Sequence, residues 1–188
     1  MPGHRWQDRG QSVHGSRHHH RSADFTLDTL LAAKAGRRIS VCIPAQDEES
    51  SIAAVVGPVH DVLVRAGLVD ELLVVDDGSR DRTAEVAAGA GAVVVPAADV
   101  RPSAGPTLGK GDVLWRSVAV STGDIIVWLD ADLTSFDVSY VLGLVGPLLL
   151  HEEVVLVRAV YDRALDGMSG EGGRVTELVA RPVISALF

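Results

Sequence analysis

Three apolar runs in this chain end in the same way. "ISVCIPA" (residues 39–45) leads into "QDEE", "ELLVV" (71–75) into "DDGS", and "DIIVWL" (124–129) into "DAD". Continuous runs of this kind, rich in Val and Ile, mark strands buried on both faces, as in parallel sheets. A carboxylate at the end of such a strand loses hydration that only a cation or several hydrogen bonds restore. Acidic ends on three buried strands therefore favour a parallel sheet whose C-terminal edge gathers the carboxylates around one crevice. On a continuing strand Asp130 and Asp132, two residues apart, share a face and converge on one hard divalent ion. The same pair also suits a loop in which one aspartate caps the next helix.

The intervening segments fit this frame. After "QDEESS" a helical stretch reaches about residue 66, with Ser50 or Ser51 as its cap and Gly57 and Pro58 interrupting it. "GSRDRT" turns into the helix "AEVAAGA", and "AVVVPA" (92–97) is another strand. Residues 98–109 form a Pro/Gly-rich loop, and "GKGDVLWRSVAVS" then carries Val113, Leu114, Val118 and Ala119 at helical spacing. Beyond the fourth strand the pattern predicts a helix over 138–149, a strand over 153–161, a Gly-rich loop and a helix "VTELVARPVISALF". Strand and helix in alternation give the α/β class with right-handed crossovers. The 188 residues fit one domain, taken as 23–188. Residues 1–22 are polar and aperiodic and are expected to be a disordered leader. That leader holds five of the seven histidines, and adjacent His18, His19 and His20 in such a segment lack the preorganisation of a metal site.

Net charge is -8, unevenly spread: residues 1–22 hold four arginines against one aspartate, +3, which leaves -11 for the rest. An acidic body argues against nonspecific nucleic-acid binding but not against a phosphorylated substrate, for which a few placed cations suffice. The single cysteine, Cys42, sits inside an apolar run and reads as a small core residue. It makes no internal disulfide, and a cytoplasmic location follows as the default. The longest mostly apolar stretch, "VSYVLGLVGPLLL", is interrupted by Gly and Pro and is too short to span a membrane.

Taken together, "IPA" followed by "EE", then "VVDDGSRDRT", then a strand ending in D-x-D resemble the nucleotide-sugar-binding half of GT-A fold glycosyltransferases over residues 39–134. Further segments, "GKGDVLWRSVAVSTGDIIVWLDADL" and above all "GGRVTELVARP", are similar to the glucosyl-3-phosphoglycerate synthases, the family that begins methylglucose lipopolysaccharide synthesis. This resemblance implies a GT-A fold, UDP-glucose or another nucleoside diphosphate glucose as donor, and 3-phosphoglycerate as acceptor. It also implies a homodimer and transfer with retention, in which the leaving diphosphate helps take the acceptor proton. By the same resemblance Pro44, Ala45 and Glu48 contact uridine and ribose, Asp76 hydrogen-bonds uracil, and Lys110 stands near the donor. Asp132 is then the direct ligand of Mg2+ or Mn2+, Asp130 meets ribose or glucose hydroxyls, and Gly173, Arg174 and Thr176 bind the phosphoglycerate. The residues' own chemistry agrees. A lysine between glycines at a helix start approaches an anion closely, and a guanidinium with backbone N–H groups suits a doubly anionic acceptor.

Two positions depart from the family pattern, Asp47 for Asn and Asp77 for Ser, and an acid in place of a neutral donor is expected to loosen contact with anionic UDP. The apolar end at Phe188 predicts further sequence beyond it, where the family carries a histidine that completes its metal site. His60 and His151 lie in no comparable motif. Two other readings share the strands: an inverting transferase acting on a polyprenyl phosphate or envelope glycan, and a fragment that retains donor binding or no activity.

Overall fold

The computed structural model describes residues 20–159 and the backbone of two short strands at 163–165 and 168–170. Four strands form its sheet: β1 (Ile39–Ala45), β2 (Glu71–Asp76), β3 (Val93–Pro96) and β4 (Ile125–Trp128). They are parallel and lie in the order β3-β2-β1-β4. All seven residues of β1 are buried, as the central strand of a sheet covered on both faces requires. In its register Cys42 lies between Leu73 of β2 and Trp128 of β4.

Alternate residues of β1 serve different layers. Ile39, Val41, Ile43 and Ala45 join the main core with helices α1 (Leu27–Ala33), α2 (Ile52–Pro58), α3 (Thr83–Gly89) and α5 (Ser139–Leu150). A smaller cluster of Val75, Ala97, Val113 and Val120 packs α4 (Lys110–Val120) as a separate apolar layer. Because the chain builds outward from β1 through β2 to β3 and then returns to the far side of β1, the strand order reverses between β1 and β4. In open α/β sheets ligands bind in the crevice beyond such a reversal.

The ends of the elements follow local chemistry. Pro58 closes α2, and the chain runs on as a π-helical segment, Val59–Val64, where the expected interruption falls. Ser51 stands at the helix start, but its hydroxyl donates to the Glu48 carboxylate (2.6 Å) rather than capping the helix, which corrects the expected serine cap. Asp137 accepts the Ser139 amide (2.8 Å) at the start of α5, and Arg37 donates to the Leu148 and Leu149 carbonyls (3.0 and 2.8 Å) at its end.

Opposite the acidic edge, the Ser40 hydroxyl donates to Glu71 (2.6 Å) and accepts from the Gly123 amide (2.9 Å). The approach there is so close that a Cβ on Gly123 would lie 2.6 Å from the Ser40 oxygen. No strand forms over residues 153–159, against the expectation for 153–161, and Val155 and Leu156 are exposed. Apolar periodicity marks a segment that fits a ladder but does not supply the ladder's partner. A two-stranded antiparallel hairpin, β5 (Arg163–Leu165) with β6 (Met168–Gly170), follows. Of the leader expected over 1–22, residues 1–19 lie outside the described residues, as does the final helix, while Arg21 caps a short 3-10 helix, Ser22–Asp24, and its amide donates to Asp24 (2.8 Å).

Candidate functional site

The two acidic loops that follow β1 and β2 are laced to each other. The Asp47 amide donates to the Ser79 hydroxyl (3.0 Å), the Glu48 amide to the Thr83 hydroxyl (2.7 Å) and the Glu49 amide to Asp81 (3.1 Å). In return the Arg80 amide donates to Asp47 (2.7 Å) and the Arg82 amide to Glu49 (2.9 Å). Thr83, fully buried, passes its own hydroxyl hydrogen to Asp81. That bond, opposed by desolvation and helped by the Thr83 and Glu49 amides, holds the Asp81 carboxyl below its ordinary pKa. Asp47 adopts a left-handed backbone (φ 55°), a conformation short polar residues tolerate, with hydrogen bonds on both sides of it.

Above this brace lies a cleft of about 220 Å³ at the C-terminal edge of the sheet. The β1 end contributes Pro44, Ala45, Gln46 and Glu48, the β2 end Asp77, the start of α4 Gly109, Lys110 and Val113, and the turn after β4 Ala131 and Asp132. Gly109 (φ 92°) takes a conformation that suits glycine and opens the helix on which Lys110 is the first residue. Three carboxylates, Glu48, Asp77 and Asp132, share the wall with the Lys110 ammonium. Lys110 pairs with Asp130, both side chains being substantially exposed (62% and 46%). A pair so wet contributes at most about 1 kcal/mol and yields readily to an anionic ligand.

A family model described as glycosyl transferase family 2 matches residues 40–170. The chain belongs to that family. Within it, the glucosyl-3-phosphoglycerate synthase of Mycolicibacterium smegmatis is 45% identical over 98% of this chain and 59% of its own length. A crystal structure of the Mycobacterium tuberculosis enzyme of that name, in complex with Mn2+, UDP-Glc and phosphoglyceric acid, superposes with a TM-score of 0.75 at 47% identity. It matches 87% of this chain and 55% of that one. The mannosyl-3-phosphoglycerate synthase of Rubrobacter xylanophilus gives a TM-score of 0.79 at 35% identity over 89% of this chain and 54% of that one. The chain thus spans about half the length of the relatives it matches, and its sheet has the α/β architecture of the GT-A fold.

Of the residues singled out from sequence in this family 2 chain, Pro44, Ala45, Glu48, Lys110 and Asp132 meet at the cleft, and Asp130 reaches it through Lys110. Asp76 does not line it: its carboxylate accepts from the Ser79 amide (3.3 Å) and hydroxyl, while the next residue, Asp77, forms the wall. β4 ends at Trp128, so Asp130 and Asp132 come from a turn rather than a continuing strand. Asp47, expected to disturb UDP, belongs to the brace. Gly173, Arg174 and Thr176 lie outside the described residues. Sequence reading missed the structural work of Ser79, Asp81 and Thr83, although "DDGSRDRT" displays their side chains at turn spacing. Among the described residues no three His, Cys, Asp or Glu are grouped to hold a metal, and no helix is long and apolar enough to cross a membrane.

Proposed function

We propose that this chain is a retaining, metal-dependent GT-A glucosyltransferase domain that moves glucose from UDP-glucose, or a related nucleoside diphosphate glucose, to the 2-hydroxyl of 3-phosphoglycerate. The observation that carries the reading is the cleft wall itself, where Lys110 and Asp132 stand with Pro44, Ala45 and Glu48 at the edge of a parallel sheet. Pro44 and Ala45 offer a flat apolar surface to the uridine, and Glu48 accepts from ribose hydroxyls. Asp76, which stands beside the cleft rather than on its wall, has acceptor capacity beyond its bonds to Ser79, and the sequence resemblance assigns it the uracil N–H. Lys110 exchanges Asp130 for the donor diphosphate, and Asp130, so released, accepts from ribose or glucose hydroxyls. At about 220 Å³ the cleft holds part of a nucleotide sugar, below the roughly 300–1,000 Å³ typical of pockets that enclose whole small ligands.

The donor set fits a hard cation that arrives with its substrate. Asp132 offers exposed carboxylate oxygens on the cleft wall, and Mg2+ characteristically takes one or two carboxylates plus substrate phosphates. When bound, Mg2+ or Mn2+ supplies charge neutralisation to the departing diphosphate. Gly173, Arg174 and Thr176 receive the phosphoglycerate, as the sequence resemblance implies. The polyprenyl alternative is less favoured because the likeness to the M. smegmatis synthase runs over 98% of the chain, well past the shared donor half. A cytoplasmic homodimer is the corresponding assembly, and sedimentation of the purified chain measures it.

Glucosyl transfer to 3-phosphoglycerate, assayed with Mg2+ and UDP-glucose or GDP-glucose, tests the proposal. Asp132→Ala is expected to lower turnover at least a hundredfold. Activity that survives both chelation and this substitution would overturn the metal assignment. Transfer to a polyprenyl phosphate but not to phosphoglycerate would replace the acceptor.

A further inference from the structure

Arg116 lies on the buried stripe of α4, together with Val113, Ser117 and Val120, and its side chain is completely inaccessible to solvent. A buried guanidinium is tolerated only when its donors are used. Here Nη1 donates to the carbonyls of Ala97 (3.1 Å) and Val100, Nη2 to the carbonyl of Gly105 (2.8 Å), and Nε to Asp112 (3.0 Å). Three of these acceptors come from the segment between β3 and α4, whose own backbone bonds close only two short 3-10 turns, Ala97–Asp99 and Pro102–Ala104. Arg101, Gly105 and Gly109 all have left-handed conformations (φ 51°, 86° and 92°). The Asp112 carboxylate oxygen that accepts from Arg116 also accepts the Leu108 amide (3.3 Å), immediately before Gly109 and Lys110. A continuous chain of contacts thus runs from a core cation through the loop carbonyls and Asp112 to the helix start on the cleft wall.

We propose that Arg116, acting with Asp112, is a positioning residue for the donor cleft: it fixes the β3–α4 loop so that Gly109 and Lys110 are held where the diphosphate binds. The proposal rests on the donor-binding reading above. Lysine cannot replace the arginine, since one ammonium does not span three carbonyls and a carboxylate in a planar fork. An apolar residue would pack in the stripe but withdraw the Arg116 donors from the Val100 and Gly105 carbonyls, while the Ala97 carbonyl would keep the Val100 amide (3.2 Å).

The test uses the chain as it stands, with UDP and Mn2+ as probe in calorimetry. Asp112→Ala removes the link between clamp and helix start without unburying the arginine. It is expected to weaken UDP binding about tenfold, the scale on which groups that orient a ligand act. Asp112→Asn, which keeps an acceptor, is expected to recover part of that loss. A variant combining Asp112→Ala with Lys110→Ala is expected to bind no more weakly than Lys110→Ala alone, because Asp112 acts through Lys110. A fold-wide weakening would give additive losses instead. Hydrogen exchange is expected to quicken at the Leu108 amide, which Asp112 accepts, in Asp112→Ala while β1 and β2 keep their protection. UDP affinity unchanged in Asp112→Ala, or full additivity in the double variant, would overturn the proposal. Should the unsubstituted chain fail to bind UDP, the donor reading falls, and unchanged exchange at the Leu108 amide would then overturn the clamp independently.

Discussion

The Asp70 carboxylate, in the turn before β2, accepts from the Lys34 ammonium and the Ile39 amide, both at 2.7 Å, and so ties α1 to the first residue of β1. Burial works to raise its pKa, but the Lys34 hydrogen bond and charge and the Ile39 amide outweigh that and hold it below the ordinary value. A folded pKa lowered in this way contributes stability that is complete above the unfolded value near pH 4 and is lost as pH falls through the folded value. Asp70→Asn is therefore expected to cost about 1 kcal/mol at pH 7, with the difference from the unsubstituted chain vanishing at the acid end. Urea unfolding of both proteins at pH 7 and pH 3 checks it. Residue identity at the cleft was less legible than its chemistry. "DDGS" announces a carboxylate at the sheet edge, but strand alternation sends Asp76 and Asp77 to different neighbours, and only the fold shows that Asp77 faces the cleft. Arg116 was hidden for the opposite reason, because a cation at helical spacing reads as solvated until its carbonyl partners, 11 to 19 residues away, are seen.

At the scale of elements, the site is built on two loops that support each other. Thr83 is their pivot, buried, accepting from Glu48 and donating to Asp81. Thr83→Val keeps the shape and removes both bonds, leaving a Glu48 amide without its acceptor. A loss of about 2 kcal/mol in unfolding free energy is expected, together with weaker nucleotide binding as Glu48 loses its support. Chemical denaturation and calorimetry on the same variant measure the two effects. The four strands of the main sheet were legible in the sequence because each is an apolar run with a turn signal after it. The segment at 153–161 has the same composition, yet over 153–159 it forms no ladder, since pairing is decided by what lies alongside and not by the segment itself. The π-helical continuation after Pro58 was foreshadowed only as an interruption. Its hydrogen-bond shift depends on how the helix settles against the core, which no local signal records.

For the molecule as a whole, parallel topology divides the labour between its two ends. The C-terminal edge collects the carboxylates and Lys110, and the opposite edge is knotted by Ser40, Glu71 and Gly123. The sheet between them encloses Cys42, which has no exposed surface. Burial, with the Glu71 charge adding to it and a Ser117 hydrogen bond opposing, pushes its thiol up to about 12. An alkylating reagent needs both access and a thiolate, and the native chain offers neither. Iodoacetamide is accordingly expected to leave the folded protein unlabelled at pH 8 and to react at the rate at which the central sheet opens, a rate that bound nucleotide should slow. Mass spectrometry of the adduct over time follows that rate. With its only sulfhydryl locked in the middle strand, the protein carries its own stopwatch for unfolding, and any small molecule that occupies the cleft can be ranked by how long it delays the chemistry.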